Sequence, residues 1–362
     1  MVVSSGIAAL DAAVAALAGG VIGAAIGALP ALALSGVALT VGELAASLGP
    51  SDGVSGPAVS TGGGSSIAEF VGFGPLLGPH VAFAGGVAAA AYAGRKGYLD
   101  GESEYHPAKH IATPPELRPD VLAVGGVFGI LGHALATVSG GLGLPWSPIW
   151  ASVVVSAACH RVAFGYPLLG RADRDRLDMS PFRRGLRRTG LDGSPDDGTH
   201  RYVVEPWLPH YWQWSTATAL GAVAGIFAAG LALLTGSQYL AFGLATAVLL
   251  AHTLGADRTP VETPALPFSL DRVPVTHHIA LPASVAALSL PSTGPAIALL
   301  VGTCFGVLGS LCGELAQRIW YAHGDTHFDP AAVSLVATTF LLAVLELLGI
   351  VGATPIPTFG LG

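Results

Sequence analysis

Histidines and carboxylates set inside apolar runs are the residues of this chain that could do chemistry. His80 follows Pro79 at the start of one run, residues 79–94, and His278 follows His277 at the start of another, residues 277–290. Both runs are too short for a full membrane crossing, which takes about 20 residues. Each therefore predicts a short or re-entrant half-helix. The first turn of such a helix offers free N–H groups and the positive end of its dipole. A small anion or a carbonyl oxygen suits that position, and a histidine there serves equally as a cap or an interfacial anchor.

His133 falls near the middle of a longer run, where an ionisable side chain is costly and faces a cavity or a partner; Ser310 occupies the matching place in the second half of the chain. Glu43 has no basic residue near it in sequence, so it is protonated, exposed to water or paired across helices, and a proton-coupled step could use it. Glu314 precedes Arg318 by four residues, the favourable order for an intrahelical ion pair, with gating as the competing role. His160 and Arg161 read as side chains that reach for the interface. His80, His133, His278, Ser310, Glu43 and Glu314 are thus the candidate pathway residues.

Two stretches carry metal-ligand residue types: His323 to Pro330, and His106 to His110 together with Asp100, Glu102 and Glu104. Neither has a zinc spacing such as HExxH, and Asp329 before Pro330 reads as a helix N-cap with proline in the first turn. Cys159, Cys304 and Cys312 lie in apolar stretches without CxxC spacing and read as small hydrophobes. No HExxH, no facing aspartate pair and no convincing serine context are present, so no enzyme activity, cofactor or metal is expected. Without a basic patch interleaved with aromatics, nucleic acid is not an expected partner.

The elements that must position these residues are membrane helices. Of 362 residues 52% are hydrophobic and 11% charged, with mean hydropathy +0.63. An ordinary soluble domain carries about 25% charged residues, so a polar shell for so large a core is missing. The composition predicts an all-α polytopic membrane protein. Apolar runs place about ten spans at 7–28, 30–48, 79–94, 120–142, 149–169, 214–235, 237–254, 277–290, 295–321 and 329–350. The start lacks a basic n-region and reads as a retained helix.

Orientation follows from the 14 arginines and from Lys96 and Lys109, none of which precedes Arg95. With both termini extracytoplasmic, the cytoplasmic connections hold nearly all of them, including the cluster Arg171 to Arg188, and the outer connections hold none. All six tryptophans fall near span ends, as an aromatic belt requires. The Arg cluster reads as the orientation determinant, with anionic lipid contact a further role. The expected location is the cell membrane, multi-pass, with the lipid bilayer as the constant partner.

The halves also resemble one another. Val127 to His133 (VFGILGH) parallels Cys304 to Ser310 (CFGVLGS), Gly78 to Phe83 parallels Thr276 to Leu281, and Trp146-Ser147-Pro148 parallels Phe328-Asp329-Pro330, in the same order. With five spans in each, the second half enters the membrane in the opposite sense, giving two inverted repeats, residues 1–170 and 211–362, joined by an Arg-rich linker at 171–210. Secondary transporters and some channels share that organisation, with a site near the midplane between repeats. The expected function is passage of a small solute or ion; the alternative is a structural or assembly protein of the membrane. Small residues spaced four apart, as in Gly19, Gly23 and Gly27 or Gly221 and Gly225, support close packing and a homo-oligomer.

Overall fold

The computed structural model describes residues 2–48, 67–99, 104–172, 175–188, 201–256 and 272–358. Helices dominate, and among the described residues there is no strand, only an isolated bridge between Arg187 and Tyr202. Helix α1 (Val2–Ile26) is separated from α2 (Ala28–Leu48) by Gly27 alone, at φ 95°, a left-handed value that glycine tolerates. A π-helical turn at Pro79–Phe83 leads into α3 (Ala84–Lys96), followed by α4 (Pro119–Gly141) and α5 (Pro148–Ala163). A one-turn helix α6 (Ser180–Arg183) precedes α7 (Trp214–Thr235), α8 (Leu240–Ala247), α9 (Leu250–Ala256), α10 (His277–Leu288), α11 (Pro295–Ala316) and α12 (Pro330–Leu347). Proline in the first turn starts α4, α5, α11 and α12, where its missing N–H costs nothing.

Among the described residues, five segments are long and apolar enough to cross a membrane: Ala28–Ala46, Pro119–Gly141, Trp214–Thr235, Pro295–Tyr321 and Pro330–Leu347. The described part of α1, together with α5, α8 with α9, and α10, is apolar but shorter. The run expected as one span over 237–254 is broken at Val248 and Leu249. Thr246 Oγ1 donates to the Phe242 carbonyl within α8, and α2 presses in at Gly36, where an added Cβ would lie 2.5 Å from the Ala247 nitrogen.

The basic connections gather at one end of the bundle, called here the basic end. Helix α3 runs toward it and finishes in Arg95 and Lys96, capped by Gly97 in the left-handed region. Helix α10, 12 residues or about 18 Å long, runs the other way and ends beside Ser289. Both start against the interior of a long helix, His80 beside Gly132 of α4 and His278 beside Gly309 of α11. The chain ahead of Pro79 runs among the helices, for Ser35 Oγ, in the interior of α2, donates 2.7 Å to the Gly72 carbonyl. The preceding glycine and serine run, 62–66, lies outside the described residues.

Close backbone contacts join the elements. Helix α1 packs on α3 and α4, and α7 packs on α10 and α11. An added Cβ at Gly132 of α4 would fall 1.6 Å from the His80 carbonyl oxygen, and one at Gly309 of α11 would fall 2.6 Å from that of His278. Across the halves, α2 packs on α8 and α5 on α12, with the Ser147 N–H donating 3.1 Å to Thr339 Oγ1.

Candidate functional site: a cavity between the halves

A cavity of about 270 Å³ lies toward the basic end. The first half contributes Leu29 and Leu32 from α2, Phe83, and Lys109 to Ala112; the second contributes Leu249, Val275 and His277, with Tyr321, His327 and Asp329 from around the α11–α12 connection. Most of this wall is apolar, with a few polar groups set into it, the usual make-up of a small-molecule site.

Asp329 is held by its capping role: its two carboxylate oxygens accept from the N–H groups of Ala331 and Ala332, each at 3.2 Å, at the positive end of α12. His327 lies beside it, Nε2 to Oδ1 3.8 Å, longer than a hydrogen bond. The His277 ring is packed 5.9 Å from Phe242 and 6.4 Å from Trp150, centroid to centroid. His277 and His327 are both buried, and among the described residues neither ring has a hydrogen-bond partner at either nitrogen.

Lys109 lies on the cavity wall toward the basic end. Its Nζ is 2.7 Å from Glu205 Oε2 and 4.4 Å from the Tyr321 ring centroid, a cation–π contact. Arg201 approaches the other carboxylate oxygen of Glu205 at 2.8 Å and also reaches Asp325 at 3.0 Å. Burial pulls the Lys109 ammonium down to about 8, against the attraction of Glu205. Burial pushes Glu205 the other way, but Lys109 and Arg201 outweigh it and hold the carboxyl below its usual range. Connections after α3, before α7 and before α12 are thus joined by one buried ionic network.

Beyond Trp150 and Phe242 lies a second gap of about 140 Å³, lined by Phe73, Ser147 to Trp150, Tyr239, Leu281 and Thr339. Trp150 and Phe242 are fully buried, 5.6 Å apart between ring centroids, and separate the two spaces.

The six candidates from the sequence occupy three other places. His80 stacks on His133 at 6.1 Å between centroids. His278, Ser310 and Glu314 line a small gap of about 20 Å³ with Trp207 and Gln317. There Ser310 Oγ donates 2.7 Å to the Ala217 carbonyl, and Glu314 takes 2.7 Å contacts from Arg318 Nε and Nη2 plus a hydrogen bond from Gln317. Glu43 accepts from Ser237 Oγ at 2.5 Å, tying α2 to the start of α8. None of the six lines the large cavity. The cavity residues Lys109, His327 and Asp329 do fall in the two His- and Asp-rich stretches of the sequence. Among the described residues no group of three or more His, Cys, Asp or Glu side chains is placed to hold a metal ion.

Arg161 does not reach for the interface. It is wholly buried, with Nε donating to Thr326 Oγ1 and Nη2 to the carbonyls of Trp320 and Thr326, all at 2.9 Å, and Nη1 to Leu168 at 2.5 Å. Its guanidinium lies over Phe328 at 4.8 Å.

The described residues define the class: an all-helical protein with five apolar helices of membrane-crossing length among them. The family described as one of unknown function, DUF7973, matches residues 2–359, and the chain is a member of it. No curated protein and no solved structure matches it.

Proposed function

We propose that this protein is a membrane transporter or channel for a small solute or ion and carries no catalytic activity, with its pathway between two inverted five-helix repeats, residues 1–170 and 211–362. The observation that carries the reading is the cavity of about 270 Å³ walled by both halves and closed off by Trp150 and Phe242 from a second gap on the far side. The packing supports the repeat: α1 relates to α4 as α7 does to α11, and Gly132 touches His80 as Gly309 touches His278. Half-helices that start at mid-depth and run in opposite directions are a feature of such pathways. On the positive-inside rule the basic end is cytoplasmic, both termini are extracytoplasmic, and the cavity opens inward.

Water access tests this. Val275 and Leu32, both on the cavity wall, are replaced singly by cysteine after removal of Cys159, Cys304 and Cys312, and sealed membranes are treated with an impermeant thiol reagent from each side. The expected result is labelling from the basic side alone. Arg183→Cys in an exposed connection is the positive control, and Leu234→Cys on the exposed apolar face of α7 is the lipid control. A cavity position that labels no faster than Leu234→Cys would favour the structural role, in which the bundle serves assembly without a pathway.

A further inference from the structure

We infer that the cavity between the halves binds a small organic solute of no net charge that both donates and accepts hydrogen bonds. The inference rests on the proposed pathway and names what uses it. At about 270 Å³ the cavity is many times the space one water occupies, roughly 10–15 Å³ on the same measure, and far exceeds what a dehydrated ion needs.

Hydrogen-bond accounting sets the chemistry. His277 and His327 are each buried on the wall with both ring nitrogens unpartnered. A neutral imidazole offers one donor and one acceptor, so two rings offer two of each, and a buried polar atom left unpaired costs about 1–3 kcal/mol. A solute with N–H or O–H groups as well as carbonyl or hydroxyl oxygens removes that cost, whereas an inorganic cation answers only the acceptors and an anion only the donors.

Charge accounting sets the net charge. The Lys109 ammonium is already matched by Glu205 at 2.7 Å, and the Asp329 carboxylate by the N–H groups of Ala331 and Ala332. An ion entering this space would shed its water without finding an unmatched opposite charge. A neutral amide does not meet that barrier, whereas the ammonium and the carboxylate of a zwitterion each do. The apolar wall of Leu32, Phe83 and Val275 suits its carbon skeleton.

Full-length protein in detergent is titrated with acetamide against its donor-free counterpart, N,N-dimethylacetamide, and against glycine and sodium chloride as charged solutes. Tryptophan fluorescence is the readout, because Trp207 lies on the cavity wall. A saturable response to acetamide is expected, weakened about tenfold for the methylated partner and for His277→Phe, one hydrogen bond's worth or more. His277→Gln, which keeps a donor and an acceptor, retains the response and separates recognition from a folding defect. Equal response to the methylated partner, an equal or stronger response to glycine or salt, or no saturable response to acetamide overturns the inference. Flux in vesicles is read separately. Ion flux without amide binding defeats the solute class and leaves the pathway standing, whereas solute binding without any flux defeats the pathway and leaves the site.

Discussion

Lys109 Nζ and Glu205 Oε2 are 2.7 Å apart, with both side chains removed from solvent, and the pair ties the chain after α3 to the chain before α7 at the mouth of the cavity. Breaking a buried pair from one side strands the other charge, at about 3–5 kcal/mol. The two sides are not equivalent here. Glu205→Gln leaves Lys109 unmatched and Arg201 with Asp325 alone, at 3.0 Å, and is expected to cost that full amount. Lys109→Met leaves Glu205 with Arg201 at 2.8 Å and is expected to cost less. Denaturation midpoints of the two variants in the same detergent decide it, and an equal or reversed order refutes the asymmetry.

The same lysine gives a pH signature. Its folded value is lowered to about 8 from 10.5, chiefly by burial, so between those values the unfolded chain holds a proton that the folded chain has released. Stability therefore rises with pH across that window, and the penalty of burying the ammonium applies fully below about 8. The thermal midpoint of the wild type is expected to climb relative to Lys109→Met from pH 8 to 10. On the acid side Glu205, held below its usual range, contributes stability above about pH 4.5 that is lost as pH falls through its folded value.

Gly132 is a packing requirement. A methyl group there would fall 1.6 Å from the His80 carbonyl oxygen, backbone that cannot step aside, so Gly132→Ala is expected to cost about 3 kcal/mol or more. Gly141, at the end of the same helix with nothing within 4 Å of an added Cβ, provides the contrast: Gly141→Ala is expected to be neutral or to stabilise by about 0.5 kcal/mol. Comparable yields and melting temperatures for the two variants would contradict this account.

Arg161 joins α5 to the α11–α12 connection through four hydrogen bonds and a ring contact. Lysine carries the charge without the planar fork, so Arg161→Lys is expected to destabilise nearly as much as Arg161→Met. Protease sensitivity between Trp320 and Asp329 reports the loss directly. Full protection in the lysine variant would assign the role to charge alone.

Helices were legible in the sequence because their signals are local. Apolar length marked α2, α4, α7, α11 and α12, the Asp329-Pro330 step marked the start of α12, and the four-residue step from Glu314 to Arg318 marked their pair. The shortness of α3 and α10 was legible for the same reason. The break between α8 and α9 was not, since it contains neither glycine nor proline and coincides with pressure from Gly36 of a distant helix. The cavity was hidden for a related reason. His277, Lys109 and His327 meet only because α10 starts inside the bundle, beside Gly309, while two connections fold under it, and nothing in their spacing announces that convergence. Arg161 looked like an interfacial side chain because its partners Trp320 and Thr326 are far along the chain.

Gly27 carries a consequence for how the protein is made. A single residue joins α1 to α2, and its amide neighbourhood is already occupied, with the Leu29 N–H donating to Ile111 at 2.9 Å. So short a connection leaves no room for one helix to be threaded and released before the other arrives. In a bilayer the two are expected to enter as one hairpin. Glycosylation acceptors placed ahead of α1 and after α2 in truncated nascent chains would read this directly: modification of both or neither marks concerted entry, and modification of one alone marks helices that insert separately.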